Sequence, residues 1–411
     1  MDHPPESAAS RYARYVEATR DRPLPLALVD LDALERNVAT VIGQAGGKTV
    51  RLATKSVRSV ELLRRITVAA GGAISGVMAY CAAEASFLVD AGFRDVLVAY
   101  PSVSQEDARR IATANATGAV VRPVVDADEH LDAVETAAAA AGVIIPVVVD
   151  VDLAYRALGS RVHVGVRRSP LQDVDEIVAF IQSILRRRGL SFGGLLAYEA
   201  HVAGLGDKAT GAPGAGSGLA NAVMRSMKRW VRGPIAAHRQ ALADALDRAN
   251  LPVPLFNGGG TGSVGWTARE PAITEIAAGS GFLASHLFDR YRDITLEPAA
   301  CFALQAVRRP GPNFVTCLGG GFMASGAAGK DRLPQPYLPA GLRLTTLEGA
   351  GEVQTPLIVP GGVSIPLGAP VFFRHAKAGE LAEHFNEYLM IRGHRIEGVA
   401  TTYRGQGHAF L

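Results

Sequence analysis

From residue 24 to residue 285, short β-branched runs alternate with longer segments of helical period, and Gly or Asp stands at many of the joints. No other feature of the chain constrains its fold as strongly, because repeated strand–helix units build parallel sheets. Strands are expected at 24–30, 49–53, 73–77, 95–100, 119–125, 144–150, 192–198, 253–257 and 273–277. Helical patterns such as LDALERNVATVIGQA, SQEDARRIATANA and LQDVDEIVAFIQSILRRRG lie between them. With the first strand set aside, eight remain, the number that closes into a (β/α)8 barrel. A doubly wound open sheet competes, but no GxGxxG follows the first strand, and the Gly-rich segment comes after the seventh barrel strand instead. The expected fold class is α/β, a TIM-type (β/α)8 barrel.

After residue 286 the pattern changes to alternating, Pro- and Gly-punctuated segments, which read as a second, mostly antiparallel β domain. Residues 202–220, rich in Gly and Ala, read either as a lid over the barrel mouth or as a surface loop. Lys+Arg 42 against Asp+Glu 39 leaves a scattered charge of +3, which is no nucleic-acid footprint and points to a small ligand. Cys81, Cys301 and Cys317 stand far apart without a CxxC pair, as expected in a reducing cytoplasm. No apolar run approaches the ~18–20 residues that span a bilayer, and the first residues lack the apolar stretch of a signal peptide, so no membrane partner is expected.

In a barrel the reacting groups follow the carboxyl ends of strands. Lys55, in RLATKS after the first barrel strand, is either a solvated surface lysine or an amine desolvated in the mouth and able to form a Schiff base with an aldehyde. Asn257-Gly-Gly-Gly-Thr-Gly-Ser263 and Ala278-Gly-Ser-Gly281 follow strands seven and eight, where barrels commonly hold a phosphate on backbone N–H groups. Asp150, Asp152, Arg161, His163, Arg167 and Arg168 gather after strand five, as a salt-bridge network or a catalytic group. Tyr198 and His201 end strand six and suit a flat cofactor, or simply a strand end. Near the C-terminus, His375, Glu380 and His384 are candidate ligands for a divalent metal or ordinary polar residues at a helix start.

Taken together, PLALVDLDALERNV, RLATKS, YEAH, NGGGTGS and TEIAAGSGF resemble the fold-type III pyridoxal phosphate enzymes, with an alanine racemase-like barrel. Within them the resemblance is to the D-threonine aldolase and D-serine dehydratase family, and it runs from about residue 20 to the end. It implies a pyridoxal phosphate-binding barrel over 31–285 and a β domain of 1–30 plus 286–411 that closes the active site, the first strand joining the β domain. It also implies that Lys55 carries the cofactor. Gly259, Gly260, Thr261, Gly279 and Ser280 then hold its phosphate, and Tyr198 and His201 lie beside its ring, with Ala200 where the family has Gly. The family's Arg-x-Gly after strand five is replaced by His163-Val-Gly165, with Arg161 two residues earlier, so either residue takes the arginine's place. The family's metal pair, His-x-Cys or His-x-Asp, corresponds here to His375-Ala-Lys377, so a divalent metal (Mn, Mg or Zn) needs Glu380 or His384 as second ligand.

The activity implied is that of a lyase on D-β-hydroxy-α-amino acids. It either cleaves Cα–Cβ to give glycine and an aldehyde, or removes water and ammonia to give a 2-oxo acid. His201 or His163 is the expected base, because imidazole titrates near neutrality. An amino-acid racemase shares the architecture and usually needs a facing tyrosine, for which Tyr291, Tyr337, Tyr388 and Tyr403 are available. A non-catalytic pyridoxal phosphate-binding protein is the third reading, although such proteins are usually single barrels. A homodimer is compatible with the resemblance.

Overall fold

The computed structural model describes residues 6–157, 162–208, 215–377 and 379–410. The barrel strands are Thr49–Ala53, Ile74–Ala79, Asp95–Val98, Val120–Val125, Ile145–Asp150, Leu190–Ala197, Phe256–Gly258 and Glu275–Ala278. They pair in parallel in chain order, and the eighth returns to the first from Glu275↔Thr49 to Ala278↔Leu52, so the sheet closes. Leu97, Val124, Val148, Leu196 and Leu255 form one buried cluster within the barrel, while the alternate residues Val96, Val98, Val147, Val149 and Leu195 pack toward the helices.

The floor of the barrel is ionic. Arg51, 2 % exposed, donates to Glu275 at 2.6 and 2.9 Å and to Asp95 at 2.7 Å. A guanidinium can be buried at that depth only with its donors matched to carboxylates, as here. Glu275 and Asp95 are the first residues of their strands, so the network closes the amino-terminal end and leaves the opposite end for chemistry.

Leu26–Asp30 stays outside the barrel. It pairs antiparallel with Ala300–Gly311 and parallel with Glu387–Arg392, within a nine-stranded sheet whose other pairings are antiparallel. Strand alternation splits its side chains. Leu26, Leu28, Cys301, Ala303 and Phe372 cluster with Tyr15 of the amino-terminal helix Ala8–Ala18, while Val29, Phe302, Phe373 and Met390 join the barrel's outer core. Asp30 is the joint between these parts. Its Oδ2 accepts from Arg14 at 2.7 Å and Tyr15 at 2.9 Å, and its Oδ1 accepts from Ala33 N–H at 3.1 Å, capping Leu31–Gln44.

The reading of 202–220 as a loop needs correction. Ala200–Ala203 is a short helix, and Ala215 begins a 34-residue helix running to Arg248 with Pro234 inside it. Gly218, Leu219 and Ala220 are exposed, so no apolar periodicity marks its first turns. Among the described residues, no helix is long and apolar enough to cross a membrane.

Candidate active site

The strand Thr49–Ala53 runs into the tight turn Thr54–Ser56. Thr54 Oγ1 donates to Met78 O at 2.8 Å, which fixes the turn to the neighbouring strand while Thr54 and Ser56 are buried. Lys55 between them reaches solvent, although protein atoms crowd around its ammonium. That desolvation, followed by the like charges of Lys377, Arg168 and Arg58, holds its ammonium below the ordinary lysine range.

Facing it are the two glycine loops. Gly259 sits at φ +81°, and a Cβ there would lie 2.8 Å from Ile276 Cγ2. Thr261 joins the loops, its hydroxyl accepting from Gly279 N–H at 3.4 Å and Gly281 N–H at 3.2 Å. A Cβ on Gly279 would lie 2.6 Å from Ala53 O, and one on Gly281 2.2 Å from Thr261 Cγ2, so neither position has room for a side chain. Ser280 opens the short helix Ser280–Leu283 beside them, partly exposed.

Behind the first loop lies Glu199, fully buried. It accepts from Gly259 N–H at 3.0 Å, Ser263 Oγ at 2.7 Å and Thr267 Oγ1 at 2.6 Å, and pairs with Arg239. Burial pushes this carboxyl up, but Arg239 and the two hydroxyls outweigh it and keep it below the usual range. Arg239 is itself fully buried and also pairs with Glu270 at 2.7 Å.

Tyr198 lies next to Gly260, at 3.2 Å from where its Cβ would stand, and Arg168 lies over the Tyr198 ring at 6.0 Å. Arg168 also donates to Asp150 at 2.5 Å and to Ala99 O at 2.9 Å. Burial pushes the Asp150 carboxyl up to about 6 against that pairing. Asp152 pairs with Arg156, so each of the two aspartates has its own arginine. Arg161, the expected partner, lies outside the described residues. Buried His201 has no hydrogen-bond partner on Nε2 and lines a cavity of about 610 Å³ with Asp152, Val231 and His238. Burial holds its imidazole below the ordinary histidine value of 6.5, partly offset by Glu199 and Asp152, with Arg239 and His163 acting in the same direction as burial. His163 belongs to the antiparallel ladder of Tyr155–Ala157 with Val162–Val164, and its Nε2 is likewise unpartnered.

The expected metal residues are not brought together. His375 is enclosed; burial, then Arg374 and His286, push its imidazole down to about 3. Neither of its ring nitrogens has a partner, the nearby Ala300 backbone falling outside hydrogen-bonding geometry. Both Glu380 oxygens accept from Ser325 N–H, at 2.9 and 3.0 Å. His384 stacks on Phe322 at 4.4 Å, and Glu380–Glu383 is a 3₁₀ turn rather than the α-helix that would align Glu380 with His384. Among the described residues, no group of three or more His, Cys, Asp or Glu could hold a metal ion. Three of the four candidate tyrosines are engaged. Tyr291 donates to Ala203 O at 2.9 Å, Tyr337 OH accepts from Arg11 at 2.5 Å and Tyr403 donates to Glu84 at 3.0 Å, whereas the fully buried Tyr388 has no hydrogen-bond partner on its hydroxyl.

Sequence reasoning passed over Glu199, Arg239 and Glu84. Glu199 stands inside the quoted YEAH, and a carboxylate between two residues at a strand end was the available signal. Arg239 comes from the long helix, and nothing local marks it.

A family model described as alanine racemase, N-terminal domain, matches residues 29–279, more than half of the chain. The 3-hydroxy-D-aspartate aldolase of Paracoccus denitrificans (strain Pd 1222) is 25 % identical over 261 residues, covering 62 % of this chain and only 59 % of the relative. The D-threonine aldolase of Filomicrobium marinum superposes with a TM-score of 0.77 at 20 % identity, over 93 % of this chain and 95 % of that one. The D-threo-3-hydroxyaspartate dehydratase of Delftia sp. HT23 gives 0.73 at 19 % identity, over 94 % and 98 %, and a cysteine-to-alanine mutant of a D-threo-3-hydroxyaspartate dehydratase has been solved in a metal-free form. At these identities the structural likeness is one of fold.

Proposed function

The chain belongs to the alanine racemase N-terminal domain family, and on that premise we propose that it is a pyridoxal phosphate-dependent lyase acting on D-β-hydroxy-α-amino acids. The observation that carries this reading is Lys55, kept below its ordinary pKa at the one open end of the barrel, opposite two glycine loops joined through Thr261.

The residues fit the cofactor. Gly259, Gly260 and Gly279 bring no side chain to the loops that also carry the Thr261 and Ser280 hydroxyls, a setting suited to a phosphate. Tyr198 offers a flat ring beside it, and Arg168, which reaches both Tyr198 and Asp150, joins Arg161 and His163 as a candidate for the cofactor's ring side. When bound, pyridoxal phosphate supplies an electron sink for the bond that breaks at Cα. The protein's task is to hold the chosen bond in position and to move protons. His201, its imidazole held neutral at pH 7, accepts the β-hydroxyl proton in aldol cleavage, with His163 as the other candidate. Lys55, which would hold the cofactor, would take the Cα proton if water is lost instead. The aldolase and dehydratase names of the relatives support a lyase, and three of the four candidate tyrosines are tied up in hydrogen bonds elsewhere.

We also read the chain as two units, 31–285 and 1–30 plus 286–411, and as a cytoplasmic homodimer, which light scattering of the purified protein checks. The donor set does not fit a divalent metal, since one enclosed imidazole with a lysine two residues on lacks an anionic partner. The test is product analysis of the cofactor-loaded enzyme with D-threonine, D-serine and 3-hydroxy-D-aspartate. Glycine plus aldehyde, or a 2-oxo acid plus ammonia, bears the reading out. The L-enantiomer as sole product would mean a racemase, and no product a binding protein.

A further inference from the structure

Gly379 is packed against the backbone of Lys55. Gly379 adopts φ +91°, and a Cβ on it would lie 1.8 Å from Lys55 O, so the two backbones touch where only glycine fits. His375 is fixed by His286 N–H donating to its O at 3.1 Å, and Glu380 by accepting from Ser325 N–H. Between these anchors stands Lys377, exposed, its ammonium steered by a hydrogen bond to Ser325 Oγ at 3.2 Å. It is also the foremost of the charges that act on Lys55, ahead of Arg168 and Arg58.

We propose that Lys377 supplies the positive charge that meets the substrate's β-oxygen, and that the lyase needs no divalent metal. The inference rests on the lyase reading above. In aldol cleavage the hydroxyl proton passes to the base, the C–O bond becomes the aldehyde C=O, and the Cα–Cβ electron pair stays with Cα, which takes up a proton. Negative charge grows on the β-oxygen in transit, and a fixed ammonium N–H stabilises it there more than in the ground state. The donor chemistry agrees, because a lysine repels the cation that an anionic ligand at its position would bind.

The experiment uses the cofactor-loaded wild type and its Lys377→Met and Lys377→Arg variants, each dialysed against EDTA and then assayed with and without Mn²⁺, Mg²⁺ or Zn²⁺. Wild-type rates should agree within about twofold across these conditions, and the Mn²⁺ electron paramagnetic resonance signal should be unattenuated by the protein. Lys377→Met should lower kcat about 100-fold with little change in KM, the size of effect of losing one such donor, and Lys377→Arg should recover part of it. Exchange of the Cα hydrogen of D-alanine in D2O, which involves no β-oxygen, should change far less in Lys377→Met than the lyase rate does. A wild type that EDTA silences and Mn²⁺ restores overturns the role of Lys377 and leaves the lyase reading standing. A Lys377→Met variant that loses D-alanine exchange in proportion to lyase activity overturns it too, since the lysine then serves the site as a whole. A cofactor-loaded wild type that turns over no D-β-hydroxy amino acid under any condition overturns both.

Discussion

The Glu199 carboxylate accepts from the Gly259 backbone N–H at 3.0 Å, so a fully buried charge from the end of strand six orients the loop after strand seven. Ser263 and Thr267 bond the same carboxylate, and Arg239 balances it. The loop's shape therefore depends on an ion pair that never meets solvent. Glu199→Gln leaves Arg239 short of a counter-charge, and breaking a buried pair costs about 3–5 kcal/mol. We expect a lower melting temperature and a rise of more than about tenfold in the Kd for pyridoxal phosphate, with the Kd for phosphate-free pyridoxal nearly unchanged. Equal weakening of both ligands would show that Glu199 supports the whole mouth rather than the phosphate loop.

Lys55→Ala should abolish covalent attachment of the cofactor. The wild type, treated with pyridoxal phosphate and then borohydride, should gain the mass of one cofactor on the peptide that contains Lys55. The variant should gain none, while it still binds pyridoxal phosphate reversibly through the glycine loops. Labelling of another lysine in both proteins would make Lys55 an ordinary surface residue.

Most of the scaffold was legible in the sequence because the physics behind it is local. Val120–Val125 and Ile145–Asp150 are β-branched runs and became strands, and Asp30 and Ser104 stand as N-caps immediately before the helices that the periodicity indicated. Lys55 and the two glycine loops were legible for a related reason, since barrel chemistry falls at strand ends. Long-range pairing was not. Arg168 reaches Asp150 from 18 residues on, and Arg239 finds Glu199 from 40 residues away, through a helix whose exposed first turns carry no apolar pattern. The spacing of Glu380 and His384 was visible, but not that Glu380 would bond Ser325, because the 3₁₀ turn that separates the two is set by the Gly379 contact with Lys55.

Glu84 gives stability a pH dependence. Burial pushes its carboxyl up to about 7 from the ordinary 4.5, against hydrogen bonds from Tyr80 N–H and Tyr403. Because the folded state holds this proton more tightly than the unfolded chain, the contribution is full below 4.5 and is lost as pH rises toward 7. The shift corresponds to about 3 kcal/mol. Urea unfolding from pH 4.5 to 8 should show the decline, and Glu84→Gln should flatten it. A wild-type profile as flat as the variant's would mean that Glu84 ionises freely in the folded protein.

The base should be visible in the pH–rate profile. Burial lowers the His201 imidazole from 6.5, so it is neutral at pH 7 and kcat/KM for aldol cleavage should stay flat there, falling only at more acidic pH as the ring takes up a proton. His201→Asn should lower kcat about 10²–10⁴-fold, the usual contribution of a general base, and should remove that acid limb. The limb is the discriminating part, because a residue that merely packs beside the cofactor lowers the rate without changing where it titrates. If the limb persists in His201→Asn and vanishes in His163→Asn, the proton goes to His163 of the neighbouring ladder, whose Nε2 is equally unpartnered.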